Sequence, residues 1–283
     1  MDRESHLDAN EYKFLCSQAN EMSKKENLGK TTSNGWYVAD NKYDKKTNFK
    51  AVLYQKGDES ILCYVGTDRF SAKDWSANIK MAVTGGSAQI ELAKKFAQDM
   101  ISKHNLSLSN LISIGHSEGG TEATEVGIAN GLKTVTFNAY GVSKKHVDAS
   151  KISDGQITNY RDPHDPVSKL RANVGETYIT PSTQSQFMSR TPFGSVQSHG
   201  ISNMGDCNNA VPVNFYKKTH PTFIDKISEK AITRKDIAEM PSEVFAVFES
   251  EIDKRLAKNK IKLENSKNLK WVTINGNHVP MKK

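Results

Sequence analysis

Two short runs rich in β-branched and aromatic residues open the ordered pattern of this chain: Phe49-Lys50-Ala51-Val52-Leu53-Tyr54 and Ile61-Leu62-Cys63-Tyr64-Val65. The short Gly57-Asp58-Glu59 link between them predicts a hairpin. From Ala88 to His104 the period changes to that of a helix, with Ile90, Leu92, Ala93, Phe96, Ala97, Met100 and Ile101 on one broad face. The apolar run Leu111-Ile112-Ser113-Ile114 then predicts a buried strand, followed by a helix to about Asn130 and a second buried strand, Thr134-Val135-Thr136-Phe137. A polar stretch expected to be helical separates these from two further strands, Gln156–Tyr160 and Glu176–Ile179. Strands alternating with helices predict an α/β fold around a mostly parallel sheet.

Past Val213 the pattern loses this alternation. Thr233 with Asp236 has the spacing of a capping box, and Phe245, Phe248, Ile252 and Leu256 form an amphipathic stripe beyond Pro241. Such a stripe is more often packed on its own domain than presented to a partner. The closing segment from Trp271 to Pro280 has the pattern of a strand and turn. The expected division is therefore a main domain over residues 1–213 and a basic, mainly helical appendage over 214–283.

The chain has 283 residues, 36% hydrophobic and 25% charged, enough to bury a sizeable core. No apolar run reaches the length of a membrane span, and the first twenty residues lack the apolar core of a secretory signal. Synthesis in the cytoplasm is the expectation, with export by a signal-less route left open. Three dispersed cysteines, Cys16, Cys63 and Cys207, form neither a disulfide framework nor a zinc pattern. Of the net charge of +7, residues 214–283 carry most, with fifteen Lys and Arg against nine Asp and Glu. A solvated helical face accounts for such a tail, and no nucleic-acid partner is expected.

The chemistry enters at Gly115-His116-Ser117-Glu118-Gly119, between the strand ending at Ile114 and the helix that follows. A serine at the tip of a strand-to-helix turn needs neighbours without side chains, and glycines two before and two after supply them. Its hydroxyl requires a base, and the base an orienting acid, in the chain order serine, acid, histidine. Asp162 and Asp165 lie just past a strand end, where open α/β sheets build their sites. Among eight histidines, His199 is favoured as base: four precede the acid, His164 adjoins it, and His220 and His278 fall in the appendage. Oxyanion donors are expected from the Glu118 backbone N–H and from Thr67, in the loop after the early hairpin. No H-E-x-x-H, cysteine pair or dinucleotide glycine motif is present, so no metal or organic cofactor is expected.

These pieces resemble the bacterial, phospholipase-like branch of the class-three (fungal-lipase-like) lipases, which are α/β hydrolases. Gly66-Thr67-Asp68 with Asp74-Trp75-Ser76-Ala77-Asn78 resembles the family's R-G-T-D…D-W-x-x-N, and Gly115 to Gly120 its G-H-S-L-G-G. Thr136-Phe137-Asn138-Ala139, Asn159-Tyr160…Asp165-Pro166-Val167 and His199-Gly200-Ile201-Ser202-Asn203 are similar to T-F-N-A, N-Y…D-x-V and H-S-I-x-N. The resemblance implies an α/β-hydrolase fold and esterase chemistry on lipids or phospholipids, hence transient contact with a membrane surface. It selects Asp165 over Asp162, and implies Ser117 as nucleophile, His199 as base, and Thr67 with Glu118 N–H as oxyanion donors. A lid is implied too, either at Ile79–Gly86 or in the loop holding Phe187, Met188 and Phe193. Two positions depart from the family: Val65 replaces its arginine and Glu118 the leucine after the nucleophile, whose side chain is expected to point away from the oxyanion. Segments of the tail resemble those appended to phage-encoded and effector proteins, which leaves room for a protein partner there. Two other readings stay open: a catalytically weak hydrolase fold used for binding, and a thioesterase or peptidase built on the same three residues.

Overall fold

The computed structural model describes residues 8–66, 75–142, 147, 151–169, 171, 173–183, 197–214, 216, 269–274 and 277–282, with backbone alone for 75–87 and for the last two stretches. Eight strands form a mixed sheet in which spatial order follows chain order. They are β1 (Tyr37–Asp44), β2 (Phe49–Lys56), β3 (Glu59–Tyr64), β4 (Leu111–His116), β5 (Lys133–Phe137), β6 (Ile157–Arg161), β7 (Glu176–Ile179) and β8 (Val211–Pro212). The first three pair antiparallel, β3 to β7 run parallel, and β8 returns antiparallel on β7. The expected hairpin is β2–β3, and the parallel centre is the one that the alternation of strands and helices predicts.

Two crossovers carry helices α2 (Trp75–His104) and α3 (Glu118–Asn130). Strand periodicity sorts the core into two layers. Ala51, Leu53, Leu62 and Tyr64 point to one face, where Ala93, Phe96, Ala97 and Met100 of α2 and Ala123 and Val126 of α3 cover them. Val52, Tyr54, Ile61, Cys63, Ile112 and Ile114 point to the other. That face is covered by α1 (Ala9–Met22), an element the hydrophobic pattern did not bring forward. Its buried residues Tyr12, Leu15, Cys16 and Ala19 follow a helical i, i+3, i+4, i+7 spacing, but Asn, Gln and Lys break the stripe. Asp8 caps the helix by accepting from the Asn10 N–H at 3.0 Å.

Helix α2 starts thirteen residues before the periodic stretch at Ala88, so the candidate lid at 79–86 has helical backbone. The other lid candidate, with Phe187, Met188 and Phe193, lies outside the described residues, as do Thr67 and the tail's capping box and apolar stripe. The closing segment is an antiparallel hairpin of β9 (Leu269–Ile274) and β10 (Asn277–Lys282). No described helix is long and apolar enough to cross a membrane.

Candidate active site

Strand β4 ends at His116, and the chain reverses into α3 within one residue. Ser117 is that residue, held at φ 58°, ψ −123°. A non-glycine residue there costs on the order of 1–3 kcal/mol and persists only where its surroundings impose it. The imposition is visible. The Ser117 N–H donates to the Phe137 carbonyl at 3.0 Å, and its own carbonyl accepts from the Gly120 N–H at 3.1 Å. A Cβ on Gly115 would collide with the Gly119 carbonyl, and one on Gly119 with the Tyr64 carbonyl at the end of β3. The helix start is thus seated directly on two strand ends, which only glycine allows.

Three of the residues singled out in the sequence meet here. His199, in a helical turn at 197–199, has Nε2 at 2.7 Å from Ser117 Oγ and Nδ1 at 3.1 Å from Asp165 Oδ1. Since an ionised carboxylate only accepts, the Nδ1 proton lies toward Asp165, which leaves Nε2 free to accept from the serine hydroxyl. All three are sealed from solvent: Ser117 is 1% exposed, Asp165 0% and His199 3%. Asp165 is oriented by the turn that follows it, its Oδ1 accepting from Val167 N–H at 2.9 Å and its Oδ2 from Ser168 N–H at 3.1 Å.

Asp162 occupies a different position. Its Oδ1 accepts from the His164 N–H at 2.8 Å, closing a turn, and makes no bond to His199. Burial, the leading cause, pushes its carboxyl up to about 7, against hydrogen bonds from His164 and Ser182 that favour the charged form.

Two residues that the search for a base and acid passed over also surround His199. The carbonyl of His199 accepts from His116 Nε2–H at 2.8 Å and from Asn138 Nδ2–H at 3.1 Å. Asn138 also donates to the Ser198 carbonyl at 3.1 Å, and its Oδ1 accepts from the Asp162 N–H at 2.8 Å. It is fully buried with a positive φ of 45°, a conformation asparagine tolerates better than most residues. The rings of His116 and His199 lie 5.1 Å apart, and burial followed by the repulsion of His199 lowers the His116 pKa to about 4. Chain order places His116 before the acid, and Asn138 is legible in the sequence only through the T-F-N-A resemblance.

Glu118, first residue of α3, is buried, and its carboxylate is within electrostatic reach of Glu122 and Tyr140. Glu122 is buried as well, and desolvation, then Glu118, holds its carboxyl well above the usual range. Gly66 packs against the elbow so closely that a Cβ would reach within 3.0 Å of Ser117 Cβ and 2.8 Å of the His116 carbonyl. The residue after it is Thr67. Among the described residues no group of three or more His, Cys, Asp or Glu side chains is set to hold a metal ion.

The chain is 31% identical over 101 residues to an extracellular phospholipase A1 of Serratia liquefaciens, a match covering 36% of this chain and 30% of that one. The fold matches a triacylglycerol lipase described as having a serine protease triad as its catalytic centre, with TM-score 0.50 and 13% identity over 68% of this chain and 91% of the other. A Rhizomucor miehei triacylglyceride lipase aligns over 70% of this chain and 94% of its own, at 14% identity and TM-score 0.48. The fold is that of the α/β hydrolases. A model of the phospholipase-like group, the Tle-like phospholipase domain, matches residues 17–203, which span every described residue of this site, and the chain belongs to that family.

Proposed function

We propose that this protein is a serine ester hydrolase that cleaves acyl esters of lipids, phospholipids foremost, through an acyl-enzyme. The observation that carries the reading is the 2.7 Å contact between His199 Nε2 and Ser117 Oγ, in a chain of the Tle-like phospholipase domain family. In this reading Ser117 Oγ attacks the ester carbonyl as His199 Nε2 takes its proton, and Asp165 orients the ring and stabilises the imidazolium that forms. The tetrahedral intermediate collapses, the leaving alcohol takes the proton from His199, and the acyl group stays on Ser117. Water, activated by the same histidine, then releases the fatty acid.

The Glu118 N–H at the start of α3 and Thr67 are the proposed oxyanion donors. The tight seat of Gly66 on the elbow supports Thr67, because it brings the chain just before Thr67 against Ser117. The Glu118 side chain lies within electrostatic reach of Glu122 and Tyr140, and its proposed part in catalysis is confined to its backbone N–H. The family match over residues 17–203 supports assigning catalysis to a unit within 1–213, with 214–283 as an appended segment.

The test is release of fatty acid from phospholipid, triacylglycerol and a thioester assayed side by side, with wild type and Ser117→Ala. Phospholipid should be the best substrate, and the variant should lose a factor on the order of 10⁴ or more in turnover. A fluorophosphonate probe should label Ser117 in the wild type. Equal turnover by the two proteins, or no labelling of a folded wild type, removes the proposal.

A further inference from the structure

Charge within residues 1–213 is segregated. Residues 23–50 hold seven lysines against three acidic residues, residues 1–22 hold two basic against five acidic, and residues 51–213 balance at fifteen of each. The fold gathers four of these lysines around one cleft at a corner. The cleft, of about 720 Å³, lies between the end of α1 and the last half of β1 and is lined by Lys24, Lys25, Lys42 and Lys45 together with Tyr43 and Leu28. Tyr43 and Leu28 are 41% and 50% exposed, unusual for large apolar side chains in this chain.

The acidic residues nearby are mostly engaged. Glu21 binds Lys24 at 2.5 Å, and Asp40 takes Lys103 at 2.6 Å and His104 at 3.1 Å. Asp44 Oδ1 accepts from the backbone N–H of Lys46 and Thr47. Glu26 lines the cleft beside the lysines. Lys50 is withdrawn from the surface, bound to Asn20 at 2.7 Å behind the Tyr43 ring.

Topology decides where this corner faces. Strand β1 is antiparallel to β2, β2 to β3, and β3 is parallel to β4. The end of β1 therefore lies on the same edge of the sheet as Ser117 at the end of β4. At about 4.8 Å per strand, the separation across three strand spacings is roughly 14 Å.

We propose that this corner seats the protein on a bilayer that carries anionic phospholipids. Lys24, Lys25, Lys42, Lys45 and Lys46 meet the phosphate and carboxylate groups, while Tyr43 enters the headgroup layer. The nucleophile edge then faces the lipid. The proposal rests on the lipid-ester reading above for its purpose, and its test does not need catalysis. A basic cluster within a Debye length of an anionic surface is held by its potential, and each lysine adds to that attraction.

The experiment is co-sedimentation of the full chain carrying Ser117→Ala, which keeps the lipid intact, with two kinds of vesicle. One is phosphatidylcholine alone; the other is phosphatidylcholine with one third phosphatidylglycerol. Binding should favour the anionic vesicles and weaken as salt is raised. Lys45→Gln/Lys46→Gln should lower that affinity roughly tenfold or more. Lys56→Gln/Lys133→Gln removes as much charge at the end of β2 and the start of β5, the opposite edge, and should leave it unchanged. In the Ser117 background, the Lys45/Lys46 variant should hydrolyse a soluble short-chain ester at the wild-type rate. Equal vesicle affinity for the Lys45/Lys46 variant, equal loss in both variants, or no preference for anionic vesicles overturns the proposal. Absence of any esterase activity would sink the function above and leave the binding measurement readable.

Discussion

Asn138 holds His199 by its backbone. Its amide donates to the carbonyls of Ser198 and His199, both at 3.1 Å, while its carbonyl oxygen accepts from the N–H of Asp162 at 2.8 Å. The loop bearing His199 and the loop bearing Asp165 are therefore pinned to one side chain just past the end of β5. Together with the turn at Val167 and Ser168 and the His116 donor to the His199 carbonyl, this clamp fixes the relative position of Asp165 and His199.

Replacing Asn138 by glycine tests the clamp without opposing the positive φ. The three hydrogen bonds disappear, and misplacement of a catalytic group by about 1 Å can cost on the order of 10² in rate. We expect kcat to fall 10- to 100-fold with a smaller change in KM, while the protein stays folded. Unchanged kcat in a folded variant would show that the loops need no such tie.

His116 is expected to act as a neutral donor to the same carbonyl. With its pKa lowered to about 4 from an unfolded value near 6.5, folding disfavours the charged ring. Its effect on stability is therefore absent at neutral pH, grows as a penalty while pH falls from about 6.5 to about 4, and is flat below. His116→Gln should flatten that part of the Tm-against-pH curve and, by keeping a donor, retain activity within several-fold. His116→Leu, which has no donor, should lose about tenfold in kcat.

Asp162 supplies the opposite slope. A carboxyl raised to about 7 from an unfolded value near 3.9 binds its proton more tightly when folded. Stability is lost as pH climbs from about 4 to about 7 and is constant above. Asp162→Asn should leave Tm nearly unchanged at pH 4 and raise it at pH 8, where the wild-type carboxyl is held charged against its burial. Asp165→Asn should instead abolish most esterase turnover, on the order of 10⁴-fold, through the wrong tautomer of His199. If the two substitutions exchanged these effects, the assignment of the acid would be wrong.

Gly119→Ala tests the seat of the elbow. Its new methyl would run into the Tyr64 carbonyl, a backbone group that cannot rotate away. A cost of about 3 kcal/mol or more is expected, read as a fall in Tm, together with loss of fluorophosphonate labelling. Gly57→Ala meets nothing within 4 Å, yet its φ of 59° disfavours a side chain, so its smaller loss should reflect conformation alone.

Strands β3 to β5 carried their own signals as buried apolar or β-branched runs, β2 as a run rich in β-branched and aromatic residues, and β6 and β7 as shorter β-branched and aromatic stretches. The edge strand β1 did not: Ala39, Asp40, Asn41 and Lys42 give it no apolar alternation, and pairing with β2 defines it. Helix α1 buries four side chains against the sheet while most of its remaining positions are polar, so its helical stripe was too narrow to stand out.

The sequence alone determined the elbow and the order of the groups around it. Glycines at 115 and 119 and a serine between them describe a turn whose sterics are local, and the motifs that follow keep their order whatever the packing. What only the tertiary structure decided was contact. Asp162 and Asp165 lie three positions apart, and apart from the family resemblance nothing local tells which carboxylate meets His199, 34 residues beyond Asp165. The choice was made by a turn at Val167 and Ser168 that aims one carboxylate, and by Asn138, whose hydrogen bonds cross 24 and 61 residues of chain. Contacts of that kind exist only once the sheet has brought the strand ends together, because each is a pairing of polar groups that water would otherwise satisfy.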